Sequence, residues 1–155
     1  MEHVIRPALA DDRAAVEDLV GHAYGPWVAV IGARPKPMDA DYAALIADGR
    51  VHLAVVAATG VLDGLIVLIP EPDTLLLENV AVHPARHGRG IGRRLLAFAE
   101  DEARRLGLPA VRLYTNAKMT RNITLYEALG YTVTERRPAG ERGYAVLMRK
   151  ELPAG

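Results

Sequence analysis

The stretch VAVHPARHGRGIGRRLL, from Val80 to Leu96, sets an apolar strand-like run, a burst of glycine and basic residues, and a helix-forming run end to end. A loop that only turned the chain would need one glycine, yet Gly88, Gly90 and Gly92 alternate where a helix should begin. The first amides of a helix have no partner inside it and carry the positive end of its dipole. Glycines lack a Cβ and so let an anion approach several of those amides together. His87, Arg89, Arg93 and Arg94 add charge around the same place. The pattern predicts a cradle for a diphosphate held chiefly by main chain; its alternative is a plain turn before a solvated basic helix start.

Other phosphate and metal patterns fit less well. A P-loop requires G-x-x-x-x-G-K-[ST], and no Lys followed by Ser or Thr stands here. A dinucleotide fingerprint requires G-x-G-x-x-G and an acid on the next strand, whereas this loop reads G-x-G-x-G and that strand ends LYTN. His83 and His87 are separated by Pro84 and the loop, which prevents a helical metal pair, and there is no H-E-x-x-H, so no metal is expected. The basic run has no interleaved aromatics, which argues against nucleic acid.

Elements on either side must position this loop. HVIRPA reads as a first strand, followed by a helix from Asp11 or Asp12 with Val16, Leu19, Val20 and Ala23 at helical spacing. GPWVAVIGARPKPM, with its prolines and glycines, is expected to be one long loop. Asp39 is expected to cap a short helix through Tyr42, Leu45 and Ile46, with Gly49 at its left-handed end. VHLAVVA, LDGLIVLI and TLLLENVAVHP read as three consecutive strands. After the glycines, Ile91, Leu95, Phe98, Ala99, Ala103 and Leu106 form a helix stripe, with Glu100–Arg104 and Asp101–Arg105 pairs on its wet face and Gly107 at its end. AVRLYT is a strand, MTRNITLYEAL a helix ended by Gly130, and YTVTERR and YAVLMRKEL two closing strands.

Composition is consistent with one domain over residues 1–155. Half the residues are hydrophobic, and 19 Lys plus Arg balance 19 Asp plus Glu, so no global field draws the molecule onto nucleic acid or a membrane. No run reaches the roughly 18 apolar residues of a membrane span, and a cytoplasmic protein is expected. Cys is absent, which excludes a cysteine nucleophile.

Taken with these elements, the chain resembles the GNAT superfamily of acyl-CoA-dependent N-acyltransferases. Its phosphate motif, Q/R-x-x-G-x-G/A, is matched in its glycines by His87-Gly88-Arg89-Gly90-Ile91-Gly92, with His87 where Gln or Arg is usual. LYEALGY, Leu125 to Tyr131, resembles the family's helix carrying a tyrosine near the coenzyme A sulfur. ENVAVHP resembles the strand before the phosphate loop, and IRPALADD the usual opening. Where the family often has an Asn on the pantetheine arm, Met119 stands here; Asn116 and Asn122 are nearby substitutes, with a helix cap an equal account of Asn116.

The resemblance implies an α+β chain of α/β three-layer form, a mixed sheet of about seven strands flanked by about four helices. It implies acetyl transfer from acetyl-CoA to a small-molecule amine by direct attack in a ternary complex, with no covalent cysteine relay. Tyr126 is then the candidate acid beside the sulfur, or an aromatic packing residue. Glu78 interrupts LLLENVAV, where strand alternation puts it with Leu76, Val80 and Val82; it is either base or ammonium anchor, or a structural ion pair. The family's strand also implies Val80, Ala81 and Val82 as cofactor contacts, with an oxyanion-binding amide near Val80 and a pantetheine pairing at Val82. Tyr24, Trp27, Arg34 and Tyr42 are candidates for the acceptor site, suited to a small amine carrying a carboxylate, or else packing groups. A homodimer is compatible with the resemblance. The alternative function is a non-catalytic acyl-CoA sensor that keeps the cradle alone.

Overall fold

In the computed structural model, which describes residues 2–153, a seven-stranded sheet in the order β1-β2-β3-β4-β5-β7-β6 separates two helical layers. The strands are β1 (His3–Pro7), β2 (Val51–Val56), β3 (Leu62–Pro70), β4 (Leu75–Val82), β5 (Ala110–Asn116), β6 (Thr132–Pro138) and β7 (Tyr144–Glu151). The helices are α1 (Arg13–Ile31), α2 (Tyr42–Ala47), α3 (Ile91–Arg105) and α4 (Thr120–Ala128). Every neighbouring pair is antiparallel except β4–β5, which is parallel and reached by the α3 crossover. This is the mixed three-layer architecture that the family resemblance implied.

Each layer follows from an apolar stripe. Val16, Leu19, Val20, Tyr24 and Ile31 of α1 and Tyr42 and Ile46 of α2 pack on Leu53, Leu65 and Val67. On the other face, Ile91, Leu95, Ala99 and Ala103 of α3 pack with Ile66, Leu77, Val111 and Leu113, and Tyr126 of α4 joins them. Burying each large apolar side chain contributes about 1.5–3 kcal/mol against chain entropy. Gly64 lets the start of α3 sit close to β3: a Cβ there would meet Ile91 Cγ2 at 3.0 Å and Leu95 Cδ1 at 3.1 Å.

Several local expectations are corrected. The expected loop GPWVAVIGARPKPM is helical through Ile31, with Pro26 inside α1. Proline deprives the carbonyl one turn earlier of its donor, but Pro26 and His22 are both exposed, so the defect lies on the wet face while Tyr24 and Ile31 stay buried. Gly32, at φ 84°, ends the helix by donating to the Val28 carbonyl. Asp41, not Asp39, caps α2, its side chain accepting from the Ala44 amide at 3.0 Å. On α3, Arg104 pairs with Glu100 as expected, but Arg105 pairs with Glu102 and Asp101 with Arg104, three residues apart. Leu106 is exposed beyond the helix end.

Candidate active site

Gly88 and Gly90 both take left-handed conformations, φ 81° and 77°, and Gly90 is the N-cap of α3. The first helical bond runs from the Arg94 amide to the Gly90 carbonyl, which leaves the amides of Ile91, Gly92 and Arg93 facing outward from the helix mouth. A cleft of about 380 Å³ opens over them, lined by Val80, Ala81, Val82, His87, Gly88, Gly90, Ile91, Gly92 and Arg93. His87 bridges loop and strand: its Nε2 lies 3.2 Å from the Val82 carbonyl and must carry the proton, because a carbonyl only accepts.

The charge around the cradle differs from the expected set. Arg89 is not among the lining residues, and Arg94 turns away to donate to the His3 carbonyl at 2.6 Å. Arg86 and Arg121 line the cleft instead. Arg86 is held by Asp63, 3.3 Å from Nε, and the same buried carboxylate takes His3 Nε2 at 2.8 Å. Burial opposes ionisation of Asp63, but the bonds from His3 and Arg86 hold its pKa below the usual carboxylate value.

Beside the cradle the sheet splits. β4 pairs with β5 only from Leu75 to Leu77, opposite Val111 to Leu113, although both strands run on. On its other edge, Val67 pairs with Asn79 and Leu68 with Leu77, so Glu78 has no partner on β3 and forms a bulge. Both pairings of β4 therefore break at Glu78. The extra residue also corrects the expected facing. Leu75 and Leu77 share the α3 side with Val80 and Val82, whereas Ala81 packs toward α1 and Asn79 bonds to Tyr24 and Tyr42. Glu78 is not on the face of Val80 and Val82; with Asn79, Tyr42 and Tyr114 it lines a small recess beneath α2.

Past the bulge, the Val80 carbonyl accepts from the Tyr24 phenol at 3.0 Å and the Val82 carbonyl engages His87. In a strand, the N–H and C=O of one residue point to the same edge. The amides of Val80 and Val82 therefore face the split, on the side that β5 has left.

A second cleft, of about 470 Å³, lies beyond the split. Tyr24, Val80, Met119, Asn122 and Tyr126 line both clefts, so the two meet there. Glu78 lines only the second. Burial pushes the Tyr126 phenol well above its ordinary value, and the same cause raises Tyr24 and Tyr42.

Of the expected acceptor residues, only Tyr24 lines the second cleft. Trp27 lines the first, because α1 continues past Pro26 and carries it there. Arg34 is exposed and paired with Asp39 at 2.9 Å, away from both clefts. Tyr42 is buried, its hydroxyl donating to the Pro37 carbonyl at 2.6 Å and accepting from Asn79 Nδ2 at 3.0 Å. Asn116 lines the second cleft, not the first, and its amide is spent on the Arg142 carbonyl at 2.6 Å and the Lys118 amide at 2.9 Å. It is a turn residue and no helix cap, since α4 begins after Met119.

The second cleft also holds Lys36, Arg112, Tyr114, Arg137 and Arg142, none of which stood out in the sequence. Tyr114 sits two residues before Asn116 in LYTN, so its strand-end position was the one available signal. The others converge from separate loops and strands, which no local pattern reports. Among the described residues, no group of three His, Asp or Glu is placed to hold a metal ion, and no helix is long and apolar enough to cross a membrane.

Comparison with known proteins agrees with this geometry. The acetyltransferase (GNAT) family profile matches residues 15–131. An L-methionine sulfoximine/L-methionine sulfone acetyltransferase of Salmonella typhimurium is 42% identical over 61 residues, 39% of this chain and 36% of that protein. The match thus spans little more than a third of that relative's length. The PaiA N-acetyltransferase of Thermoplasma acidophilum, solved with coenzyme A, superposes with a TM-score of 0.81 at 18% identity, over 98% of this chain and 100% of that one. YncA of Salmonella typhimurium, solved with acetyl-CoA, gives a TM-score of 0.74 at 26% identity, over 100% and 96% of the two chains. With the profile covering most of the sequence and the fold shared from end to end, this chain belongs to the acetyltransferase (GNAT) family.

Proposed function

We propose that this protein transfers an acetyl group from acetyl-CoA to the primary amine of a small molecule, by direct attack within a ternary complex. The observation that carries the reading is the meeting of two clefts at Val80 and Tyr126, one lined by the glycine cradle and the other by Glu78. The residues present suit coenzyme A: outward amides and left-handed glycines for its diphosphate, Arg86, Arg93 and Arg121 for charge, and the open edge of β4 for its amide-bearing arm. The PaiA and YncA structures contain coenzyme A and acetyl-CoA, and the named sulfone acetyltransferase acts on a small molecule.

Each residue then has a task. An alkyl ammonium, with a pKa of about 10.4, must lose a proton before attack; Glu78, on the acceptor side, receives it directly or through water. As the C–N bond forms, the outward amide of Val80 donates to the oxyanion. The C–S bond then breaks, and the Tyr126 phenol, kept neutral by burial, donates to the departing thiolate. The nitrogen's remaining extra proton returns to the Tyr126 phenolate and Glu78 passes the first to solvent, so one proton ends on the thiol and one is released. Direct attack also agrees with the absence of cysteine.

The test is acetyl-CoA titration by calorimetry alongside coenzyme A release over a panel of amines. Saturable binding with amine-dependent release is expected. Binding without release for any amine would instead indicate an acyl-CoA sensor, and no binding would end the reading.

A further inference from the structure

The cations around the second cleft are not equivalent. Arg112 is gripped by Glu71 through two bonds of 2.6 and 2.7 Å, Arg137 is 2.6 Å from Glu135, and Arg142 is 3.5 Å from Asp39. Those charges are already answered within the protein. Lys36 has no carboxylate within 4.0 Å among the described residues; its Nζ sits 5.1 Å from the centre of the Tyr114 ring. Lys36 is exposed, and Pro35 and Pro37 flank it, each with its own φ held by the ring.

Glu78 is the complement. It is the single carboxylate lining the second cleft, and it too forms no ion pair within 4.0 Å among the described residues. It lies against Tyr114, whose phenol is pushed up to about 12, chiefly by burial and further by the Glu78 charge. One unpaired cation and one unpaired anion therefore lie near the same ring, more than 4.0 Å from each other. A positive and a negative group held apart at one wall will bind a molecule carrying the opposite two charges on neighbouring atoms.

We infer that the acceptor is a free α-amino acid, its ammonium set against Glu78 and its carboxylate against Lys36, with Tyr114 as the wall between them. This rests on the acetyltransfer reading and specifies its substrate class. Lys36 is then the residue that selects for the carboxylate, and Glu78 both anchors and deprotonates the amine. The side chain of the amino acid is left to the remaining length of the cleft, toward Arg137 and Arg142.

Coenzyme A release is measured with free L-amino acids, each beside its decarboxylated amine and its methyl ester, for the natural chain, Lys36→Gln and Lys36→Arg. The natural chain is expected to favour at least one amino acid over its decarboxylated amine by about tenfold or more in kcat/KM, as a charged hydrogen bond would supply. In Lys36→Gln that ratio falls about tenfold through the KM of the amino acid, with the KM of acetyl-CoA unmoved, and Lys36→Arg restores most of it. Decarboxylated amines or esters that react as well as the acids would overturn the inference, as would a Lys36→Gln ratio equal to the natural one. So would acetyl-CoA binding with no amino acid turned over. Failure of acetyl-CoA to bind would instead remove the function on which the inference stands.

Discussion

The Tyr24 phenol lies 3.0 Å from the carbonyl of Val80 and also meets Asn79 Oδ1, so α1 is tied to β4 just past the bulge. The bond holds the partly buried Val80 carbonyl at this edge, with the amide of the same residue toward the split. Tyr24→Phe leaves the buried Asn79 side-chain oxygen without this donor, at about 1–3 kcal/mol. Thermal unfolding should detect that loss, and kcat should fall because the oxyanion donor is less well aimed.

Tyr126→Phe removes only the hydroxyl from a residue buried against Tyr131. Stability should change little, while turnover drops about 100-fold or more, as expected for loss of a positioned acid. Calorimetry with acetyl-CoA separates the two effects, since affinity should stay within about threefold. Unchanged turnover would return Tyr126 to a packing role.

Glu78→Gln keeps the shape of the bulge but removes the proton acceptor. Turnover should fall about 100-fold, and the pH dependence of kcat/KM should change form, measured by thiol release from mildly acidic to alkaline buffer. Full rate with an unaltered profile would reduce Glu78 to a structural group.

Two glycines of the cradle should answer differently to alanine. At Gly90, φ 77° is a conformation that costs an L-residue about 1–2 kcal/mol, and Gly90→Ala should weaken acetyl-CoA binding about tenfold. Gly92 is already helical, and an added Cβ would meet only Val82 Cγ2 at 3.8 Å. Gly92→Ala should raise the melting temperature slightly and leave affinity within about threefold.

Acid should loosen the link between β1 and the loop. Asp63 titrates below the usual carboxylate value in the folded protein, so its share of stability is present above the unfolded pKa of about 3.9 and is lost as pH falls through the lowered native value. Asp63→Asn should flatten the fall in melting temperature below about pH 4 and raise the KM of acetyl-CoA by freeing Arg86.

The cradle was legible because its causes are local: alternating glycines and a helix start lie within a few residues of one another. The succession of strands along the chain was legible for the same reason, each run having its own period and its own turn. Pro26 misled because the stripe through Tyr24 and Ile31 outweighs one missing donor on the wet side of the helix. The acceptor side was mostly hidden. Arg34 is an arginine in a suitable loop, yet it is Lys36 that reaches the cleft, and Arg142 arrives from the β6–β7 connection to donate to the Arg34 carbonyl at 2.7 Å. Nothing in a 1-D pattern says that residues 108 apart will touch. The facing of Glu78 failed for a sharper reason, since alternation counts residues and a bulge adds one.

That single surplus position has a wider reach. Leu68 and Val67 are consecutive on β3 and pair with Leu77 and Asn79, so removing Glu78 would close the ladder into plain alternation and leave Asn79, Val80, Ala81 and Val82 on the faces they now hold. The surplus residue is what lets an acid stand beside Asn79 on the same side of the strand without displacing the tyrosine tether or the outward amide. In this chain, strand length is itself part of the chemistry.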